Sequence, residues 1–156
     1  MGIEIERKFL PKPDFELSDI SFFKVQEIKQ AYLSTDKNLT IRVRLKDAKA
    51  FITIKGINKG WKRSEYEYEI PYSEGIELME MSSLRIEKKR YLYLENSKIW
   101  EIDIFEGNLA GLVLVEVEME SENEDVLIPS WVGKEVSEDI RFTNSYLAAH
   151  GYEKEN

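Results

Sequence analysis

Again and again this chain alternates a bulky apolar residue with a charged one, and within one stretch the charges tend to share a sign. In TIRVRLK, Arg42, Arg44 and Lys46 stand opposite Ile41, Val43 and Leu45. In LVEVEME, Glu116, Glu118 and Glu120 stand opposite Val115, Val117 and Met119. A period of two marks a strand, because successive side chains point to opposite faces and same-face neighbours lie about 6.6 Å apart. The pattern predicts eight strands: Gly2–Leu10, Glu27–Leu33, Leu39–Lys46, Ala50–Lys55, Arg63–Pro71, Lys88–Glu95, Ile99–Phe105 and Leu112–Glu120. Asp47-Ala48-Lys49, Glu95-Asn96-Ser97 and Gly107-Asn108 supply turn chemistry between them. Helical spacing predicts Glu74–Met81 and Thr143–His150, the latter stopped by Gly151, with a third helix over Leu17–Val25.

Eight antiparallel strands in one small domain, residues 1–156, suggest a closed barrel of the mainly β (α+β) class with a few flanking helices, since closure removes exposed edges. The faces decide its polarity. Glu4, Glu6 and Lys8 share one face of the first strand, opposite Ile5, Arg7 and Phe9. Thr53 and Lys55 share a face, as do Arg63, Glu65, Glu67 and Glu69, Lys88 and Arg90, and Glu101, Asp103 and Phe105. A charged face opposite an apolar one is what any solvated sheet shows. Here, though, the charged faces carry few neutral polar residues, and like charges crowded on one sheet face are destabilising unless something compensates. An inverted barrel accounts for this. The charges line the lumen, and the apolar faces are covered from outside. An eight-stranded lumen holds side chains or one small ligand.

Composition sets the chemistry available. There is no cysteine, which excludes disulfides, thiolate metal sites and cysteine nucleophiles. The one histidine, His150, reads as an ordinary helix residue, so no Ser-His-Asp arrangement is expected. No apolar run reaches the ~20 residues of a membrane-spanning helix, and charges begin at Glu4. A cytoplasmic protein without a membrane or nucleic-acid partner is therefore expected. The net charge of −8 argues against a polyanionic ligand only if the bases are dispersed. Gathered in a lumen, Arg and Lys grip phosphate oxygens, while carboxylates take Mg²⁺ or Mn²⁺ together with those phosphates.

Glu4-x-Glu6-x-Lys8, Arg42-Val-Arg44, Thr53-Ile-Lys55, Arg63-x-Glu65-x-Glu67, Lys88-x-Arg90, Trp100-x-x-Asp103, Gly111-Leu112 and Glu116-x-Glu118 resemble, in order, the motifs of the CYTH superfamily, the triphosphate tunnel metalloenzymes. PSWVGKEVSEDIRFTNSYLA at Pro129–Ala148 resembles the C-terminal segment of its short bacterial members. The resemblance implies a tunnel that hydrolyses or cyclises triphosphates with a divalent metal, Mg²⁺ or Mn²⁺. It implies Glu4, Glu6, Asp103, Glu116 and Glu118 as metal ligands. It implies Lys8, Arg42, Arg44, Lys55, Lys88, Arg90 and Lys134 as triphosphate-binding residues. Glu4, Glu6 and Lys8 form the catalytic set, Glu65 and Glu67 match tunnel acids, and Lys134 and Glu135 border the tunnel. Parity favours Lys88 over Lys89 for the lumen. The expected activity is hydrolysis of inorganic tripolyphosphate by a monomer or homodimer. The alternatives are a nucleoside triphosphatase acting on ATP, a thiamine triphosphatase, a class IV-type adenylate cyclase, or a non-catalytic polyphosphate-binding module.

Overall fold

The structure is a computed structural model that describes residues 2–153. Nine strands alternate with short helical pieces: β1 (Ile3–Pro11), β2 (Lys24–Asp36), β3 (Leu39–Lys46), β4 (Lys49–Lys59), β5 (Lys62–Ile70), α1 (Tyr72–Glu80), β6 (Arg85–Glu95), β7 (Lys98–Phe105), β8 (Val113–Glu118), β9 (Val132–Glu135) and α2 (Asn144–His150). The sheet order is β5-β4-β3-β2-β6-β7-β8-β1-β9, and β5 also pairs with β1. That last pairing, through Ile3 with Ser64 and Glu4 with Arg63, closes eight antiparallel strands into a barrel. Positive φ at Asp47, Asn96 and Ser97 makes the tight turns that the sequence signalled.

Two elements differ from the sequence expectation. Leu17–Val25 is not a helix. Only Leu17–Asp19 forms a 3₁₀ turn, boxed by Glu16 and Asp19, and the chain is extended again at Lys24, where it pairs with Leu92. Pairing with β6 from Lys24 to Ala31 satisfies the backbone groups there and outweighs the helical spacing. Strand β9 was not foreseen. Its four residues dock on β1 at Phe9 and Pro11.

The apolar faces point outward and are covered. Phe9, Trp100, Ile102, Val115 and Val117 pack beneath the Phe15–Ile20 loop, Val126 and Val132. Val43, Leu45 and Ala50 pack beneath Met79 of α1. Burying such side chains stabilises by roughly 1.5–3 kcal/mol each. Near one rim the inward positions turn apolar: Ile86, Phe105 and Leu114 pack with Phe142 and Leu147 of the C-terminal segment. The charged part of the lumen therefore has an apolar floor. No helix among the described residues is long and apolar enough to cross a membrane.

Candidate active site

Alternation on a closed barrel sends one parity of every strand inward. The resulting cavity, about 220 Å³, is lined among the described residues by eight bases and seven acids. Its formal charge is thus +1, although the chain carries −8. The bases are not dispersed.

The charges are also sorted around the axis. Arg42, Arg44 and Lys46 stand on β3, and Lys88 and Arg90 on β6. These two strands flank β2, which turns the neutral Gln30 and Tyr32 inward between them. Glu116 and Glu118 on β8, Glu4 and Glu6 on β1, and Glu65 and Glu67 on β5 occupy three consecutive strands of the closed barrel. Lys8 and Arg63 are the bases on that acidic wall. The register explains the crowding: Glu6 faces Glu118, and Lys8 faces Glu116.

Most lumen charges are paired. Lys55 Nζ lies 3.1 Å from Glu4 and 3.3 Å from Glu65. Burial opposes ionisation of Glu4, but Lys55 and a hydrogen bond with Glu65 hold its carboxyl down at about 2. Burial and that shared proton push Glu65 up to about 7. Lys8 Nζ lies 3.5 Å from Glu116 and donates to the Phe142 carbonyl at 3.1 Å. Arg90 forks onto Asp103 at 2.8 and 3.0 Å and reaches Glu101 at 2.6 Å. Lys88 Nζ is 2.6 Å from Asp103. Its burial pushes Lys88 down to about 7 against the pull of Asp103.

Arg42 and Glu6 are each left incompletely matched. Arg42 donates through Nη2 to Thr53 at 3.0 Å and to Glu67 at 3.4 Å, but its buried Nε meets no acceptor among the described residues. A buried donor without an acceptor costs about 1–3 kcal/mol, and a phosphate oxygen would satisfy it. Glu6 has no cation within ion-pair distance among the described residues. Its side chain retains some exposure, yet it is surrounded because it lies inside the lumen. Burial, then Glu116 and Glu4, push its carboxyl well above the usual range. A divalent cation would relieve that crowding.

The donor set suits a hard cation: oxygen ligands from Glu4, Glu6, Glu116 and Glu118, with no cysteine in the chain and its one histidine outside this lumen. No three such side chains among the described residues are grouped tightly enough to cage an ion alone. That fits Mg²⁺ or Mn²⁺, which binds through one or two carboxylates plus substrate phosphates and waters.

The structure brings Glu4, Glu6, Lys8, Arg42, Arg44, Lys55, Glu65, Glu67, Lys88, Arg90, Glu116 and Glu118 to the lumen. Lys88 lines it and Lys89 does not. Asp103 is fully buried behind Lys88 and Arg90, with both oxygens engaged. Lys134 is exposed on β9 and outside the lining. Glu135 sits outside the barrel, where it receives Arg7 at 2.6 and 3.0 Å. Sequence reasoning put Glu101, Lys46 and Arg63 on the charged faces of their strands but gave them no role in the site, and all three line the lumen. It also passed over Gln30, Tyr32 and Asn144, which are neutral and so invisible to a charge pattern.

The CYTH domain profile matches residues 2–152. The chain belongs to the CYTH family. It is 40% identical over 154 residues to a protein of Acetivibrio thermocellus named inorganic triphosphatase, covering 97% of each chain. It is 38% identical to one of the same name from Nitrosomonas europaea, over 93% of this chain and 96% of that one. The crystal structure of an inorganic triphosphatase aligns with a TM-score of 0.63 at 36% identity, covering 93% of this chain and 97% of the other. A protein of Pyrococcus horikoshii shares the fold, with a TM-score of 0.59 at 24% identity over 77% of this chain and 80% of its own.

Proposed function

We propose that this protein hydrolyses inorganic tripolyphosphate to pyrophosphate and orthophosphate in the barrel lumen, with Mg²⁺ or Mn²⁺. The observation that carries the reading is the sorted lumen, basic across β3 and β6 and acidic across β8, β1 and β5. A metal–polyphosphate complex carries the complementary pair of faces. The names of the two relatives support the same substrate.

The phosphates lie against Arg42, Arg44, Lys55, Lys88 and Arg90, which neutralise charge on the phosphoryl oxygens as it shifts toward the leaving group. Lys8, a base on the acidic wall, donates to the transferring phosphoryl group. Glu4, Glu6, Glu116 and Glu118 would hold the metal; Glu65 and Glu67 extend the acidic wall. The metal, when bound, supplies charge neutralisation and an activated water. Water attacks phosphorus in line, the P–O bond to the pyrophosphate oxygen breaks, and the water's proton passes to an acid of that wall. Asp103 holds Lys88 and Arg90 in this reading, and Lys134 has no role in the lumen.

A second cavity favours a second reading. It measures about 560 Å³, shares Thr40, Asn58 and Arg63 with the lumen, and is walled by Ile57, Tyr146, Ala149 and His150. It has room for an organic group on a triphosphate, so ATP and thiamine triphosphate are the alternative substrates. The test is turnover of tripolyphosphate, ATP, thiamine triphosphate and pyrophosphate with Mg²⁺, with Mn²⁺ and with chelator, reading both phosphate and cyclic AMP. Fastest metal-dependent release from tripolyphosphate is expected, and Glu4→Gln or Glu6→Gln abolishes it. Equal, negligible turnover of every substrate overturns the reading.

A further inference from the structure

Lys88 and Arg44 stand on strands that do not touch, since β2 lies between β6 and β3. A chain of neutral side chains nevertheless joins them. Lys88 Nζ donates to Asn144 Oδ1 at 2.7 Å. Gln30 Nε2 donates to the same oxygen at 3.2 Å and to the Tyr32 hydroxyl at 2.9 Å. Gln30 Oε1 accepts from Arg44 Nε at 2.8 Å. Gln30 is fully buried and Lys88 is 1% exposed, so neither is oriented by solvent. Asn144 is the first residue of α2, and Thr143 and Ser145 beside it also line the lumen.

The chemical type of the two linkers decides what they do. Asp103 holds both Lys88 and Arg90 as a carboxylate. A carboxylate fixes a cation but cancels its charge toward a ligand. An amide oxygen accepts the same hydrogen bonds and adds no charge. Both linkers here are amides.

We propose that Asn144, acting with Gln30, is a positioning residue that fixes the separation of the Lys88 and Arg44 head groups so that they meet neighbouring phosphates of the substrate, without adding a further negative charge beside them. The inference rests on the lumen being the triphosphate site. It makes the docked C-terminal segment part of that site, because one of the two oxygens that hold Lys88, beside that of Asp103, belongs to α2.

Asn144→Asp separates positioning from mere structure. It keeps an oxygen acceptor for Lys88 and Gln30 but places a negative charge beside Lys88. The readouts are KM and kcat for tripolyphosphate, pyrophosphate affinity of the metal-free protein by calorimetry, and the melting temperature. Expected are an unreduced melting temperature, KM raised about tenfold or more, and a parallel loss of pyrophosphate affinity. Asn144→Ala, which removes the acceptor without adding charge, raises KM by a smaller factor. Wild-type KM and pyrophosphate affinity in Asn144→Asp overturn the proposal. Should that variant fail to fold, unchanged KM in Asn144→Ala overturns it instead. Lys88→Gln is the control. If it too leaves KM unchanged, the triphosphate reading of the lumen fails; if it raises KM while Asn144→Asp does not, only the positioning role fails.

Discussion

Glu6 and Asp103 are both acids on the inward parity of their strands, and the structure gives them opposite surroundings. Asp103 touches Lys88 and Arg90 at 2.6 and 2.8 Å and is held well below the usual carboxylate range, burial being outweighed by those two cations. Removing one partner of such a buried pair costs roughly 3–5 kcal/mol, because the other is left uncompensated. Glu6 has no such partner, and neutralising it removes repulsion with Glu116 and Glu4. The two amide variants should therefore cross. Asp103→Asn melts at a markedly lower temperature while substrate-free Mn²⁺ binding, read by calorimetry or spin resonance, stays within about twofold of wild type. Glu6→Gln leaves the metal-free melting temperature unchanged or higher and loses Mn²⁺ binding. Equal loss of Mn²⁺ affinity in both would make Asp103 a ligand and overturn its role as anchor. Parity alone was enough to turn Glu4, Glu6 and Lys8 toward one lumen. It could not distinguish a lumen acid from one covered by its neighbours, because alternation gives direction and not depth. Lys88 and Arg90, two residues apart on β6, reach over Asp103, and that is a tertiary fact.

At the scale of elements, the strands with strong alternation were legible, and the pieces that secure them were not. Strand β9 is four residues long and clamps β1 through contacts remote in sequence: Arg7 forks onto Glu135, and the Lys8 backbone N–H donates to Ser137 Oγ, just past the strand, at 2.9 Å. Arg7 also lies 4.6 Å from the Trp61 ring. The hydrogen bonds from Arg7 lower the Glu135 carboxyl from its ordinary 4.5. A depressed acid stabilises the fold above its unfolded value, and that contribution disappears as pH falls through the lower, folded value. Stability from the clamp is thus complete above about pH 5.5 and is lost progressively as pH falls from 4.5 through the lower, folded value. With Glu135 31% exposed, the screened contribution is about 1 kcal/mol or less. In urea melts, wild type minus Glu135→Gln should give a positive difference at pH 7 that shrinks toward pH 3. A difference independent of pH would mean that the clamp is held by packing rather than charge. Helix α1 has its own dependence. A Cβ on Gly75 would stand 2.6 Å from Ala50 Cβ and 3.0 Å from Leu45 Cδ2. Gly75→Ala gains ~1 kcal/mol of helix propensity but forces α1 off the barrel at a cost of roughly 1–3 kcal/mol. A net fall in urea midpoint with unchanged slope is expected, and a rise would show that the helix seats elsewhere.

For the whole molecule, the barrel is inside out with respect to the usual sheet, and the ligand completes it. An outward apolar face needs a cover, which the Phe15–Ile20 loop, Val126, Val132 and α1 supply. An inward charged face needs counter-charges. The basic and acidic walls supply part of these to each other, as Lys55 does for Glu4 and Lys8 for Glu116. The remainder is the strain of like charges within each wall, plus the unmatched Arg42 Nε and Glu6. Ligands of either sign should therefore stabilise the fold independently, each by relieving its own wall. A ligand present at a hundred times its dissociation constant contributes about 2.7 kcal/mol. For a domain near this size, about 2–4 °C of melting temperature accompanies each kcal/mol. Tripolyphosphate in chelator and Mn²⁺ without phosphate should each raise the melting temperature by about 5–10 °C at such saturation. The anion effect should weaken steeply between 50 mM and 500 mM NaCl, and the Glu6→Gln variant should keep the anion shift while losing the Mn²⁺ shift. A melting temperature indifferent to both ligands would mean that the two walls already neutralise each other, and the sorted lumen would then be a structural arrangement and not a binding site.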